Sequence, residues 1–111
     1  MRVISQDGTM DFPYEISTIF IYPRIENVIA IQSAGDSEIS IIGRYSSKEK
    51  TIKAMEMLRE QYGKLEVMKV LASGTAEYME KSLATDEMVK HYNTYCDMNV
   101  FQLPQDDEIE V

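Results

Sequence analysis

The sequence predicts an α+β fold: an antiparallel β-meander of about five strands with one long amphipathic helix packed on one face, in two layers. Three observations predict it. Over the first 45 residues, large apolar side chains recur with a period of two, interrupted at short intervals by turn residues. At Ser46 the period changes to three and four behind a helix-capping pattern. The chain has 111 residues, 44% of them hydrophobic, which suits one core of the size common to single domains of about 100–150 residues. The expected organisation is a single α+β domain over residues 1–104, in which 64–98 is a variable, partly helical or mobile segment, followed by an acidic tail over 105–111.

Arg2–Ser5 is a short β-prone run. Asp7-Gly8 follows as a two-residue hairpin turn. Met10, Phe12 and Tyr14 alternate with Thr9, Asp11 and Pro13, which puts the three large side chains on one sheet face. Pro13 cannot donate to a ladder, so it belongs at an edge or a strand end. Ser17–Tyr22 and Asn27–Gln32 are the next strands, separated by the turn Pro23–Asn27. Ala34-Gly35-Asp36 turns into Glu38–Tyr45. In that strand Ile39, Ile41, Gly43 and Tyr45 share one face, and Gly43 marks a bulge or a close backbone contact. Connections this short leave no room for parallel crossovers, so the strands pair antiparallel.

Ser46-Ser47-Lys48-Glu49 fits a capping box with Ser46 as N-cap. Ile52, Met55, Leu58 and Tyr62 then form one apolar stripe, and Gly63 fits a C′ position, giving a helix over 47–62. Leu65–Leu71 suits a strand or a helix equally. Thr85-Asp86-Glu87 caps a further helix whose apolar side is Met88, Val89, Tyr92 and Tyr95. Asn99–Leu103 is a last strand, stopped by Pro104, with Val100–Leu103 available to pair with a sheet edge. Gln105–Val111 carries four acids in seven residues and reads as a frayed tail.

Nineteen acidic residues against eleven basic ones give a formal charge of −8. The basic residues are scattered, and the densest group, Lys48, Lys50 and Lys53, is interleaved with Glu49 and Glu56. That pattern speaks against direct nucleic-acid binding and against adsorption to an anionic membrane. Cys96 is the single cysteine, the opening residues hold no apolar run of signal-peptide length, and no stretch nears the roughly 20 apolar residues that span a bilayer. A cytoplasmic protein is expected.

The residues that could carry chemistry are few. His91 is the one histidine; Cys96, five residues on, falls about 140° round a continuous helix from it, which speaks against a Cys–His pair. One Cys and one His are too few for a zinc site, and the acidic tail lacks a glycine-centred calcium loop. No phosphate-cradling glycine loop is present. Asp11 with Glu15, and Glu77 with Glu80, are chance-level carboxylate pairs in so acidic a chain. The expectation is no catalytic, cofactor or metal residue. Seven tyrosines and eight methionines are the compositional excess, and both types serve interfaces as well as cores. The candidate interaction surface is Tyr78, Tyr95, Met98, Val100, Phe101 and Leu103.

The opening Met1–Thr9 with Asp11 and Pro13-Tyr14-Glu15, the run Gly43–Lys50 leading to Met57–Tyr62, and the closing Val100-Phe101-Gln102-Leu103-Pro104 together resemble a family of small uncharacterised proteins encoded by phages and prophages of Gram-positive gut bacteria. The resemblance covers residues 1–62 and 99–104. It implies a phage origin and a bacterial host cytoplasm, and no activity.

The function expected is therefore a non-enzymatic protein–protein interaction or assembly module, self-associating by strand exchange through Val100–Leu103 or binding a phage or host protein. The alternative is an acidic inhibitor whose carboxylates mimic nucleic acid in the cleft of a host enzyme.

Overall fold

The computed structural model describes residues 1–80 and 85–111. It is α+β, with two three-stranded sheets and a long helix packed on strands. The chain groups into two compact units: residues 1–59 with 100–111, and residues 60–99.

In the first unit the strands are β1 (Arg2–Ile4), β2 (Asp11–Pro13), β3 (Ser17–Ile21), β4 (Val28–Ser33), β5 (Ser40–Arg44) and β6 (Val100–Gln102). They do not form one five-stranded meander. β3-β4-β5 is an antiparallel meander, whereas β1 lies between β2 and β6 in a separate sheet. The physical reason is the brevity of β1 and β2, three residues each, and the break that follows them. A 3₁₀ turn over Tyr14–Ile16 redirects the chain before β3 begins. The β1–β2 hairpin turns where expected. Gly8 has φ +78, its amide donates to the Ser5 carbonyl at 2.9 Å, and Ser5 bonds back to Met10. Pro13 ends the edge strand β2, as its missing N–H requires. The late strand does return to a sheet edge. β6 pairs parallel to β1 in the register Val3↔Phe101, with residues 5–99 as the crossover.

β4 buries Val28, Ile29, Ala30 and Ile31 in succession, so both its faces are covered and its apolar run does not alternate. β5 does not keep the alternation expected from Ile39 to Tyr45. Ile29 faces Gly43 and Ala30 faces Ile41, which leaves Ile42 as the extra residue of a bulge. Ile42 turns inward while Ile39 is exposed. Gly43 makes the close approach its position suggests. A Cβ there would lie 3.2 Å from Leu103 Cδ1 and 3.2 Å from Tyr45 Cε2.

One residue ties the two sheets together. The Gln6 amide donates to the Ile42 carbonyl at 2.7 Å. Its side chain accepts from the Arg44 amide at 2.8 Å and donates to the Arg44 carbonyl at 3.0 Å. Gln6 thus occupies the outer edge of β5 as a surrogate strand residue.

Helix α1 (Lys48–Leu71) is longer than the sequence suggests and shifted in phase. The capping hydroxyl is that of Ser47, which accepts from the Lys50 amide; the Ser46 amide donates instead to Asp106 Oδ1 at 2.7 Å. The buried positions are Thr51, Ala54, Leu58 and Leu65, while Ile52 is 37% exposed. A stripe chosen by side-chain size misses the small residues that let a helix lie close to a sheet. Thr51 can be buried because its hydroxyl bonds to the Ser47 carbonyl. Gly63 does not end the helix; Lys64–Leu71, rich in helix formers, carries it through. The left-handed residue after the helix is Gly74, with φ +78.

The terminal segment does not fray. Residues 106–108 form a 3₁₀ turn closed by a capping box between Gln105 and Glu108, and Ile109 is buried. Asp106 accepts from Ser46, and its carbonyl accepts from Lys50 Nζ at 2.8 Å. Acidity predicts a solvated tail, but one apolar residue and one well-placed carboxylate suffice to anchor it.

The second unit holds the end of α1 with α2 (Thr75–Glu80) and α3 (Asp86–Met98). Thr85 caps α3 as expected, its hydroxyl accepting from Met88 at 3.2 Å. Met88, Val89, Tyr92 and Tyr95 are all half-buried. Gln61 on α1 donates to the Met98 carbonyl at 3.0 Å and fixes the end of α3.

Candidate interaction surface

The six residues singled out by composition have different fates. Tyr78 on α2 is 45% exposed, Tyr95 and Met98 on α3 are half-buried, and Val100 on β6 is 51% exposed. Phe101 and Leu103, 8% and 1% exposed, are core residues and not surface. The period of two explains this. Val100 and Gln102 face outward on β6, so Phe101 must face in, and Leu103 continues the ladder through its amide onto the Ile4 carbonyl. Tyr78, Tyr95 and Met98 belong to the second unit and Val100 to the first.

α3 runs unbroken through His91 and Cys96, so the angular separation inferred from their spacing holds. Cys96 is exposed and hydrogen-bonds Tyr92 one turn earlier, and this contact raises the Tyr92 phenol above its ordinary pKa. Among the described residues, no three His, Cys, Asp or Glu side chains stand together as a metal set. The side chain of Glu80 lies outside the described residues, so its pairing with Glu77 does too. No helix of the described residues is long and apolar enough to cross a membrane.

What the sequence reading passes over is the outer edge of β3. The four sheet edges are treated differently. β2 is short and ends in Pro13, β6 is three residues long, and β5 is covered by Gln6. These are the usual ways of blunting an edge. β3 is Ser17-Thr18-Ile19-Phe20-Ile21, without charge or proline, and among the described residues it pairs with β4 alone. The ladder phase is fixed at both ends, by the Tyr22 amide on the Val28 carbonyl and the Ala34 amide on the Ile16 carbonyl, each 2.9 Å. Even-numbered residues therefore bond to β4, and the N–H and C=O of Ile19 and Ile21 point outward. The Ser17 amide is already engaged by the Tyr14 carbonyl, leaving its own carbonyl outward.

Two hollows lie beside α1, one at the turn that follows β3 and one at the start of β3. One, of about 550 Å³, is lined by Ile21, Tyr22, Ile25, Glu26, Lys48 and Thr51. The other, of about 270 Å³, is lined by Tyr14, Ser17, Ile19, Met55, Leu58 and Arg59. No residue of β4 lines either. Ile21 and Ile25 are each 40% exposed. Comparison of the chain with protein-family models, with curated proteins and with solved structures finds no match.

Proposed function

We propose that this chain is a non-enzymatic protein–protein interaction or assembly module, phage-derived and acting in the cytoplasm of a bacterial host. The observation that carries the reading is the unblunted β3 edge, a row of outward amide and carbonyl groups with two hollows nearby. Such an edge offers main-chain hydrogen bonds for affinity and side-chain recesses for specificity, which is the logic of strand addition. The phage origin and host compartment rest on the resemblance of residues 1–62 and 99–104 described above.

The test is affinity capture from phage-infected host lysate at low and high salt, comparing the wild-type chain with Ile21→Lys. Lysine on an exposed edge opposes pairing while leaving the β3–β4 ladder intact. The expected result is a protein, or the bait itself, retained at both salts by the wild type and lost with Ile21→Lys. Capture of a nucleic-acid enzyme at low salt only, indifferent to Ile21→Lys, would replace this reading with that of an acidic mimic.

A further inference from the structure

We infer that the β3 edge takes up an extended segment of a partner protein, paired antiparallel, whose side chains on one face run apolar, apolar and acidic at alternate positions, with the carboxylate seated on Arg59. The inference rests on the interaction-module reading and specifies the chemistry of the partner.

The main chain sets the direction. Ile19 and Ile21 each point an amide and a carbonyl outward, whereas the Ser17 amide and hydroxyl already donate to the Tyr14 and Pro13 carbonyls of the same chain. An antiparallel segment closes all four outward groups of Ile19 and Ile21 on two of its own residues. A parallel segment needs three, and the last of them faces Pro23, which has no N–H to offer.

The side chains set the chemistry. Residues that lie opposite share a face, so the segment places one side chain beside Ile21, the next but one beside Ile19 and the next after that beside Ser17. Ile21 shares a hollow with Lys48 and Thr51, and Ser17 and Ile19 share one with Met55, Leu58 and Arg59, so α1 runs opposite to β3 along this face. A step of about 100° per residue puts Lys48, Ile52, Met55 and Arg59 on one flank of α1. The other flank carries Lys50 and Met57, which lie with Asp106 and with Phe101. The flank beside β3 therefore reads basic, apolar, apolar, basic, and Glu49 and Glu56 stand about 80–100° further round from Lys48.

The two ends of that flank differ. At the Ile21 end Glu26 lines the same hollow as Lys48, and Ile21, Ile25 and Ile52 are exposed, so this end favours an apolar side chain over a charge of either sign. At the Ser17 end Arg59 is exposed, no carboxylate lines its hollow, and no described residue forms an ion pair with it. Glu15, close by in sequence, is held by the Met1 ammonium. From Ile52 to Arg59 the helix rises about 10 Å, and four residues of extended chain cover about 13 Å, a difference the long arginine side chain spans. Read in the partner from N to C, the order is apolar-x-apolar-x-acid.

The experiment is selection of random peptides, displayed as internal segments, on the immobilised full chain. The affinities of the enriched peptides are then measured by fluorescence anisotropy on wild type, Ile21→Lys and Arg59→Glu. The expected result is enrichment of apolar-x-apolar-x-acid. The dissociation constants should rise at least about tenfold in Ile21→Lys and about three- to tenfold in Arg59→Glu, and affinity for Arg59→Glu should return when the acid of the peptide is changed to lysine. Arg59 is exposed, so its variant decides the matter even if Ile21→Lys fails to fold. The absence of any enriched peptide overturns the inference, as do peptides whose binding is indifferent to Arg59→Glu. Peptides without the acid that still depend on Ile21 would overturn the assignment to Arg59 and leave the interaction-module reading standing. A dimer in sedimentation velocity that Ile21→Lys abolishes would put a second copy in the place of the partner and overturn the inference as well.

Discussion

The contact between Gly43 and Leu103 can be tested as a coupled pair. Leu103 is almost fully buried, and truncating a buried leucine to alanine costs about 2–5 kcal/mol through lost transfer energy and the cavity left behind. With a bulge and a sheet junction beside it, collapse is hindered, and about 3 kcal/mol is expected for Leu103→Ala. Gly43→Ala adds one methyl group where a Cβ would sit 3.2 Å from Leu103 Cδ1 and 3.2 Å from Tyr45 Cε2. Overpacking of this kind costs about 1–3 kcal/mol. The alanine recovers about 0.5 kcal/mol by restricting the unfolded chain, since Gly43 is not in the left-handed region. The net is a destabilisation of about 1 kcal/mol. In the double variant the Leu103 clash disappears and the new methyl group enters part of the vacated space, while the Tyr45 contact remains. Additivity predicts a loss of about 4 kcal/mol; the structure predicts about 3 kcal/mol, a coupling of about 1 kcal/mol. Guanidinium unfolding of the four proteins, analysed by linear extrapolation, measures it. Additive losses, or a stabilising Gly43→Ala, would show that the two residues do not touch as described.

Three further outcomes follow from the same packing. Gly63 sits inside α1 with open space where a Cβ would go, so Gly63→Ala is expected to stabilise the chain by about 0.5–1 kcal/mol in denaturant unfolding; a loss would return Gly63 to a helix end. Removing residues 105–111 takes away buried Ile109 and the acceptor of the Ser46 amide, and should cost about 2–3 kcal/mol; a truncated chain of unchanged stability would restore the frayed tail. Asp7 accepts from the Ser5 and Thr9 hydroxyls and the Thr9 amide, which lowers its pKa from 3.8 to about 2. A carboxyl whose folded pKa is depressed stabilises above its unfolded value and loses that contribution as pH falls through the folded one. The stability difference between wild type and Asp7→Ala should therefore be constant above about pH 4 and shrink toward pH 2 in acid-unfolding curves. A difference that is flat across that range would remove the role assigned to Asp7.

The legible parts of this fold are those set by local chemistry. Asp7-Gly8 turns, Thr85 caps and Pro13 ends an edge because each residue satisfies or lacks a specific backbone group, and Gly43 admits a close approach because it lacks a Cβ. The α+β class follows from the change of period at Ser46. What the sequence conceals is pairing between distant segments. Nothing near Arg2–Ile4 signals that β6 will lie beside it, or that Gln6 will close the edge of β5. The α1 stripe is misphased for a related reason: Thr51 and Ala54 are buried by how closely the helix approaches, not by their own hydrophobicity. Phe101 and Leu103 were candidates for a surface because apolar residues at a chain end read as available, and their burial depends on the parallel ladder with β1. The β3 edge was legible as an uncharged strand. Its openness was not, since that depends on how the other three edges are closed.

Residue-resolved amide hydrogen exchange of dilute protein tests the central claim, that β3 presents an open and competent edge, most directly. The account predicts alternation along β3, with Thr18 and Phe20 protected by the β4 ladder and Ile19 and Ile21 exchanging rapidly. Equal protection of Ile19, Phe20 and Ile21 in the dilute chain would contradict it, because the edge would then already be closed.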